Sequence, residues 1–73
     1  MPPRPQPAAA VLRMRGIANR ELARHSHYSE TWTSQVLRGR VPPSDRFRRA
    51  VAAFLDLPEA ALFREDEPRR GAA

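Results

Sequence analysis

The sequence predicts an all-α fold, a compact bundle of four to five short helices. Three observations carry this. Apolar residues recur at helical spacing, most cleanly at Phe47, Ala50, Val51, Phe54 and Leu55, which form one stripe along a helix. No segment reads as a strand. Start and stop signals (Ser29, Ser44 and Pro58; Gly16, Gly39 and Pro42-Pro43) divide the chain into short pieces. With 73 residues there is room for one small domain. A chain of this size buries only about 60% of its unfolded surface, so modest stability is expected.

Taken in order, residues 1–7 contain four prolines and are expected to be an extended, disordered arm without packing partners. Residues 8–63 form the folded domain, and 64–73 a flexible charged tail with Pro68 and Gly71. The first helix covers Ala8 to about Arg15, with Val11 and Leu12 facing inward and Gly16 ending it. The second runs from about Asn19 to His25 and buries Leu22 and Ala23. Ala18 stands where a capping side chain is expected, Glu21 is placed to reach back as half of a capping box, and Asn19 is the alternative cap. Ser29 caps the third helix, Glu30 adds negative charge to its first turn, Thr33, Val36 and Leu37 face inward, and Gly39 stops it. Pro42-Pro43 excludes helix from the next link. Ser44 caps the fourth helix, whose opposite face carries Arg46, Arg48 and Arg49. Pro58 opens a fifth helix of one or two turns, and Leu62 and Phe63 close the core. Helices this short are marginal alone, so tertiary packing must hold them.

Composition narrows the chemistry. The formal net charge is +5, and all 13 basic residues are arginine. Codon bias in a GC-rich genome accounts for arginine replacing lysine but not for the excess of positive charge. A small basic domain suits nucleic acid or another anionic surface. The guanidinium fork matches phosphate oxygens and guanine edges. Cysteine is absent, which excludes disulfide staples and cysteine-rich zinc sites. His25 and His27 lie on different sides of a helix, so no metal or cofactor is expected. Ser26, Ser29 and Ser34 with two histidines make no catalytic triad without an orienting acid and a pocket, and no phosphate loop is present; no enzyme activity is expected. No apolar run reaches the roughly 20 residues that cross a membrane. Met1 to Pro7 lacks the apolar core of a signal peptide, so a cytoplasmic location is expected.

The ordered spacing of Arg15-Gly16-Ile17, Glu21-Leu22-Ala23, Tyr28-Ser29, Ser34 with Val36, Gly39-Arg40, Pro43-Ser44, Leu55-Asp56-Leu57 and Leu62-Phe63 resembles the Cro/phage-repressor type of helix-turn-helix protein, the XRE family. The resemblance spans roughly residues 11 to 63 and implies a lambda-repressor-like bundle whose third helix reads DNA. Three departures matter. His27 stands where the family has glycine, at a position that tends to need a left-handed backbone. Thr33 replaces a branched aliphatic. Trp32 replaces a small polar residue. They bear on the tilt of the third helix, not on the fold.

The resemblance implies that Glu30, Thr31, Ser34 and Gln35 contact bases. Their chemistry agrees: glutamine pairs bidentately with adenine, glutamate accepts from the cytosine amino group, and a threonine methyl meets the thymine methyl. For Glu30 the plainer role of complementing the helix dipole stands equally. Arg20, Arg24, Tyr28, Ser29, Trp32, Arg38 and Arg40 are the expected phosphate-side contacts. Arg20 and Arg24 lie one turn apart on the helix that crosses the backbone, and Arg38 and Arg40 flank Gly39, whose neighbouring backbone amides join the clamp. Trp32 has packing over Pro42 or the fourth helix as its favoured alternative. For Arg46, Arg48 and Arg49 a solvated face is the better account. Arg4 reaches a minor groove only in a less favoured reading.

One recognition helix reads few base pairs, so a homodimer on a palindromic double-stranded operator is expected. Pro58, Leu62 and Phe63 mark its interface. A phage-type repressor or autorepressor fits best. A protein-interaction module, such as an antitoxin or a polymerase-binding factor, and a nonspecific nucleoid-type protein are the competing classes.

Overall fold

The local chemistry at each helix end explains where the elements lie. The computed structural model describes residues 4–64, arranged as α1 (Pro7–Arg15), α2 (Asn19–Ser26), α3 (Glu30–Leu37), α4 (Asp45–Leu55) and α5 (Glu59–Leu62). The all-helical expectation is met, with no strand among the described residues. α1 starts at Pro7, whose fixed φ suits the first helical position. Gly16 ends it in the left-handed conformation at φ 70°, and Ile17 N–H donates to Leu12 O at 2.9 Å.

Ala18 has no oxygen to cap α2, but the Glu21 carboxylate accepts from its N–H at 3.1 Å. Asn19 is the first residue of the helix, not its cap. Ser29 Oγ accepts from Trp32 N–H at 3.0 Å and Ser44 Oγ from Phe47 N–H at 3.1 Å, so both serines cap as expected. α4 ends on Asp56 at φ 59°, a left-handed stop that the sequence reading did not foresee. Aspartate is among the few residues that enter this region at modest cost.

The bundle closes around one core. α2 packs on α3 and α4, α4 on α5, and α1 on α3 and α5. Leu12, Leu22, Val36, Phe47, Val51, Leu55 and Leu62 are fully buried at its centre. Each such side chain contributes about 1.5–3 kcal/mol by leaving water. Two polar residues of the helices, Ser26 and Thr33, join them, and Gln6 of the arm is buried as well. Ser26 satisfies its hydroxyl on Leu22 O at 2.9 Å. Thr33 is buried with no partner for Oγ1.

Four expectations need correction. The proline-rich arm is extended at Gln6 (φ −76°, ψ 150°) but docks rather than floats. Gln6 is buried, its N–H donates to Leu37 O at 2.9 Å, and its side-chain carbonyl accepts from Arg64 N–H at 2.9 Å. Prolines on both sides hold Gln6 extended, so docking it loses little chain entropy. Secondly, Leu62 and Phe63 are buried in their own core, with the Phe63 ring 5.9 Å from that of Phe47. They are closed to a partner, and Pro58 alone of that trio is exposed. Thirdly, the arginine face of α4 is not uniformly solvated. Arg46 and Arg49 are exposed as expected, with the Arg46 guanidinium 5.1 Å over the Tyr28 ring, but the Arg48 side chain is half-buried with Nε unpaired. Fourthly, Gly39 and Arg40 N–H donate to Val36 O and Gln35 O at 3.0 and 2.9 Å. Those amides are therefore engaged within the chain, leaving guanidinium groups to make the expected clamp. Residues 1–3 and the tail 65–73 lie outside the described residues.

Candidate functional site

The site begins at the turn between α2 and α3. His27 takes a left-handed backbone at φ 65°, and Tyr28 N–H returns to Ala23 O at 3.1 Å. This is the conformation that the glycine-to-histidine departure put at issue, and histidine adopts it. The turn aims Tyr28 at α4. Its ring stacks on Trp32 at 4.2 Å and meets Phe47 edge-on at 5.4 Å, while Trp32 also meets Phe47 edge-on at 5.0 Å. Edge-to-face pairs of this kind add about 0.5–1.5 kcal/mol beyond burial.

The Tyr28 hydroxyl lies 2.8 Å from Ser44 Oγ. Ser44 thus caps α4 and tethers the start of α3 in one atom. That hydrogen bond, helped by the nearby Arg46 guanidinium, holds the Tyr28 phenol below its ordinary pKa against an opposing push from desolvation.

The far end of α3 is fixed as firmly. The last four carbonyls of a helix have no partner within it. Here Ser34 O accepts from Arg38 N–H, Gln35 O from Arg40 N–H, Val36 O from Gly39 N–H, and Leu37 O from Gln6 N–H, all at 2.9–3.0 Å. Gly39 stands at φ 84°, and a Cβ on it would overlap the Arg4 carbonyl. Glycine is therefore required twice over, by conformation and by the approach of the arm.

Anchored at both ends, α3 buries Thr33, Val36 and Leu37 and turns its other side outward. Glu30, Thr31, Ser34, Gln35 and Arg38 together line a shallow open depression. Glu30, Thr31 and Arg38 are exposed and Ser34 and Gln35 half-buried. Arg20 and Arg24 are exposed on α2, as is Arg40 beyond Gly39. Ser29 is exposed while it caps. Tyr28, whose ring was expected to pack with its hydroxyl near a phosphate, does pack, but its hydroxyl is engaged by Ser44. Trp32 is half-buried in the same cluster, so packing on α4 is the reading of Trp32 that the geometry favours.

The sequence reading missed Gln6 and Arg64, which brace the end of α3 from the two ends of the folded part. Pro5-Gln6-Pro7 signals an extended backbone, but nothing in it signals a docking partner. Among the described residues no group of histidine, cysteine or carboxylate side chains is arranged to hold a metal ion. No helix there is long and apolar enough to cross a membrane.

Comparison with curated proteins finds no match. Comparison with protein families matches residues 8–63 to the helix-turn-helix domain. That match covers most of the chain, and it includes the α2–turn–α3 unit, the serine caps of α3 and α4, and the buried face of α3. The chain belongs to the helix-turn-helix domain family.

Proposed function

We propose that this protein is a sequence-specific double-stranded DNA-binding transcriptional regulator of the Cro/phage-repressor type, with α3 lying in the major groove. One observation carries the reading: Glu30, Thr31, Ser34, Gln35 and Arg38 share one open face of a helix whose opposite face is locked into the core. A helix so fixed presents its polar edge without paying for ordering on binding. Gln35 and Ser34 supply hydrogen bonds to base edges, Thr31 a methyl for thymine, and Glu30 an acceptor for the cytosine amino group. Arg20, Arg24, Ser29, Arg38 and Arg40 face the phosphates and set the register.

The net charge of +5 supports an anionic partner. Repression or autorepression from a palindromic operator, bound by a homodimer in the cytoplasm, completes the proposal. With Leu62 and Phe63 buried, the dimer surface has to come from exposed residues such as Pro58 and Met14, which is 83% exposed. Selection of sites from a random duplex library tests the reading. Enrichment of two short half-sites about one helical turn apart is expected. Recovery of unenriched sequence would instead favour a nonspecific or protein-binding role.

A further inference from the structure

We infer that Arg4 is a third phosphate-binding residue, joining Arg38 and Arg40 in one clamp at the C-terminal end of α3, and that Arg64 is the positioning residue that holds Arg4 there. The inference rests on the DNA-binding reading and extends it to a segment that the sequence assigned to a floating arm.

Four observations place these groups together. The Arg4 main chain lies against Gly39 so closely that no side chain fits between them. Arg38 and Arg40 flank that glycine, so three guanidinium stems leave the backbone around one point. All three residues are exposed. The Arg64 guanidinium donates to Arg4 O at 2.8 Å and also to Pro5 O, while its backbone N–H donates to the Gln6 side chain.

The chemistry selects the ligand. Among the described residues Glu30 lines the same depression as Arg38 but starts α3, at the opposite end of the helix from Gly39, and the α3 carbonyls that would repel an anion are already hydrogen-bonded. Exposed arginines grouped at one point attract an anion with several oxygens, and a guanidinium binds phosphate through two parallel hydrogen bonds. A DNA phosphate adjoining the groove occupied by α3 is the occupant that fits. Arg64 has a different role. Its donors are directed at main-chain carbonyls, so it contributes by fixing the arm rather than by touching DNA. The prolines beside Gln6 keep this brace extended and lower the entropy lost in fixing it.

The test uses the whole chain, so the acidic run Glu65-Asp66-Glu67 that follows in sequence is present throughout. Binding to a short mixed-sequence duplex is measured by anisotropy across a salt series for wild type, R4A, R64A, R64K and R4A/R64A, with thermal melts confirming that each variant folds. Loss of one phosphate contact should make the slope of log K against log salt shallower by about 0.9 in R4A. Base preference on selected duplexes should be unchanged. R64A should show the same loss, R64K should recover part of it, and R64A should cost nothing further in the R4A background. An R4A slope equal to wild type would overturn the clamp. A further additive loss in the double variant would overturn the positioning role and make Arg64 a direct contact. Failure of wild type itself to bind any duplex would instead sink the DNA-binding reading. That outcome is distinct, because it leaves no slope to compare.

Discussion

Thr33 and Tyr28 show what single residues do here. Thr33 occupies a core position of α3 where an aliphatic would fit, and its buried hydroxyl has no hydrogen-bond partner. An unpaired buried polar group costs about 1–3 kcal/mol, whereas an apolar group of the same shape costs nothing. Thr33→Val is therefore expected to raise stability by about 1 kcal/mol in urea denaturation, with DNA affinity unchanged because Thr33 faces away from the open side of the helix. Tyr28 is the chain's one tyrosine, so its ionisation can be followed by absorbance. Its phenol is expected to titrate below the ordinary tyrosine value, chiefly because Ser44 hydrogen-bonds it. The folded state thus favours the phenolate. The linked stability is present above the unfolded pKa, falls as pH drops through the folded one, and is absent at neutral pH. Ser44→Ala should move the midpoint back upward and, by removing the α4 cap, cost about 1 kcal/mol. Thr33 and Ser44 were legible in the sequence as a core position and a cap. The bond from Ser44 to Tyr28 was not, because it joins residues brought together only by packing.

At the scale of the element, α3 works because both ends are held. The aromatic cluster fixes its start, and the paired carbonyls with the docked arm fix its end. Gly39→Ala attacks the second anchor, since it demands a left-handed alanine and forces the arm away from the turn. A loss of at least about 1–2 kcal/mol is expected. The Gln6 amide, which donates to Leu37 O, should exchange faster at the same time. Sequence read the helix itself well. Ser29, Val36, Leu37 and Gly39 carry strong local rules of capping, periodicity and stopping, and each stands where those rules put it. The arm was misread because prolines specify an extended backbone and say nothing about what that backbone lies against. Leu62 and Phe63 were misread as surface residues for a related reason. Leu62 and Phe63 are apolar near a chain end, which suits an interface and a core equally, and only the packing of α5 on α4 and α1 decides between them. On the open face, Gln35→Ala is expected to relax base preference at one position by about 1–3 kcal/mol, while Arg38→Ala or Arg40→Ala weakens binding to every duplex. Side-by-side selections with the three variants check this. Equal losses on all sequences would remove the division into reading and positioning residues.

At the scale of the whole molecule, a small basic bundle displays one rigid polar edge. Its affinity is expected to fall steeply with salt, by a slope of about 0.9 for each phosphate neutralised. The helix-turn-helix family and the all-helical fold do not by themselves choose between a base-reading surface and one that grips another protein. The geometry of α3 inclines the choice toward bases, and amide chemical-shift mapping tests it most directly. On titration with a selected duplex, the account predicts the largest shifts at Glu30, Thr31, Ser34, Gln35 and Arg38, with smaller ones at Arg20, Arg24 and Arg40. Shifts confined to α1 and α5, or an α3 edge unmoved by any duplex, would contradict it.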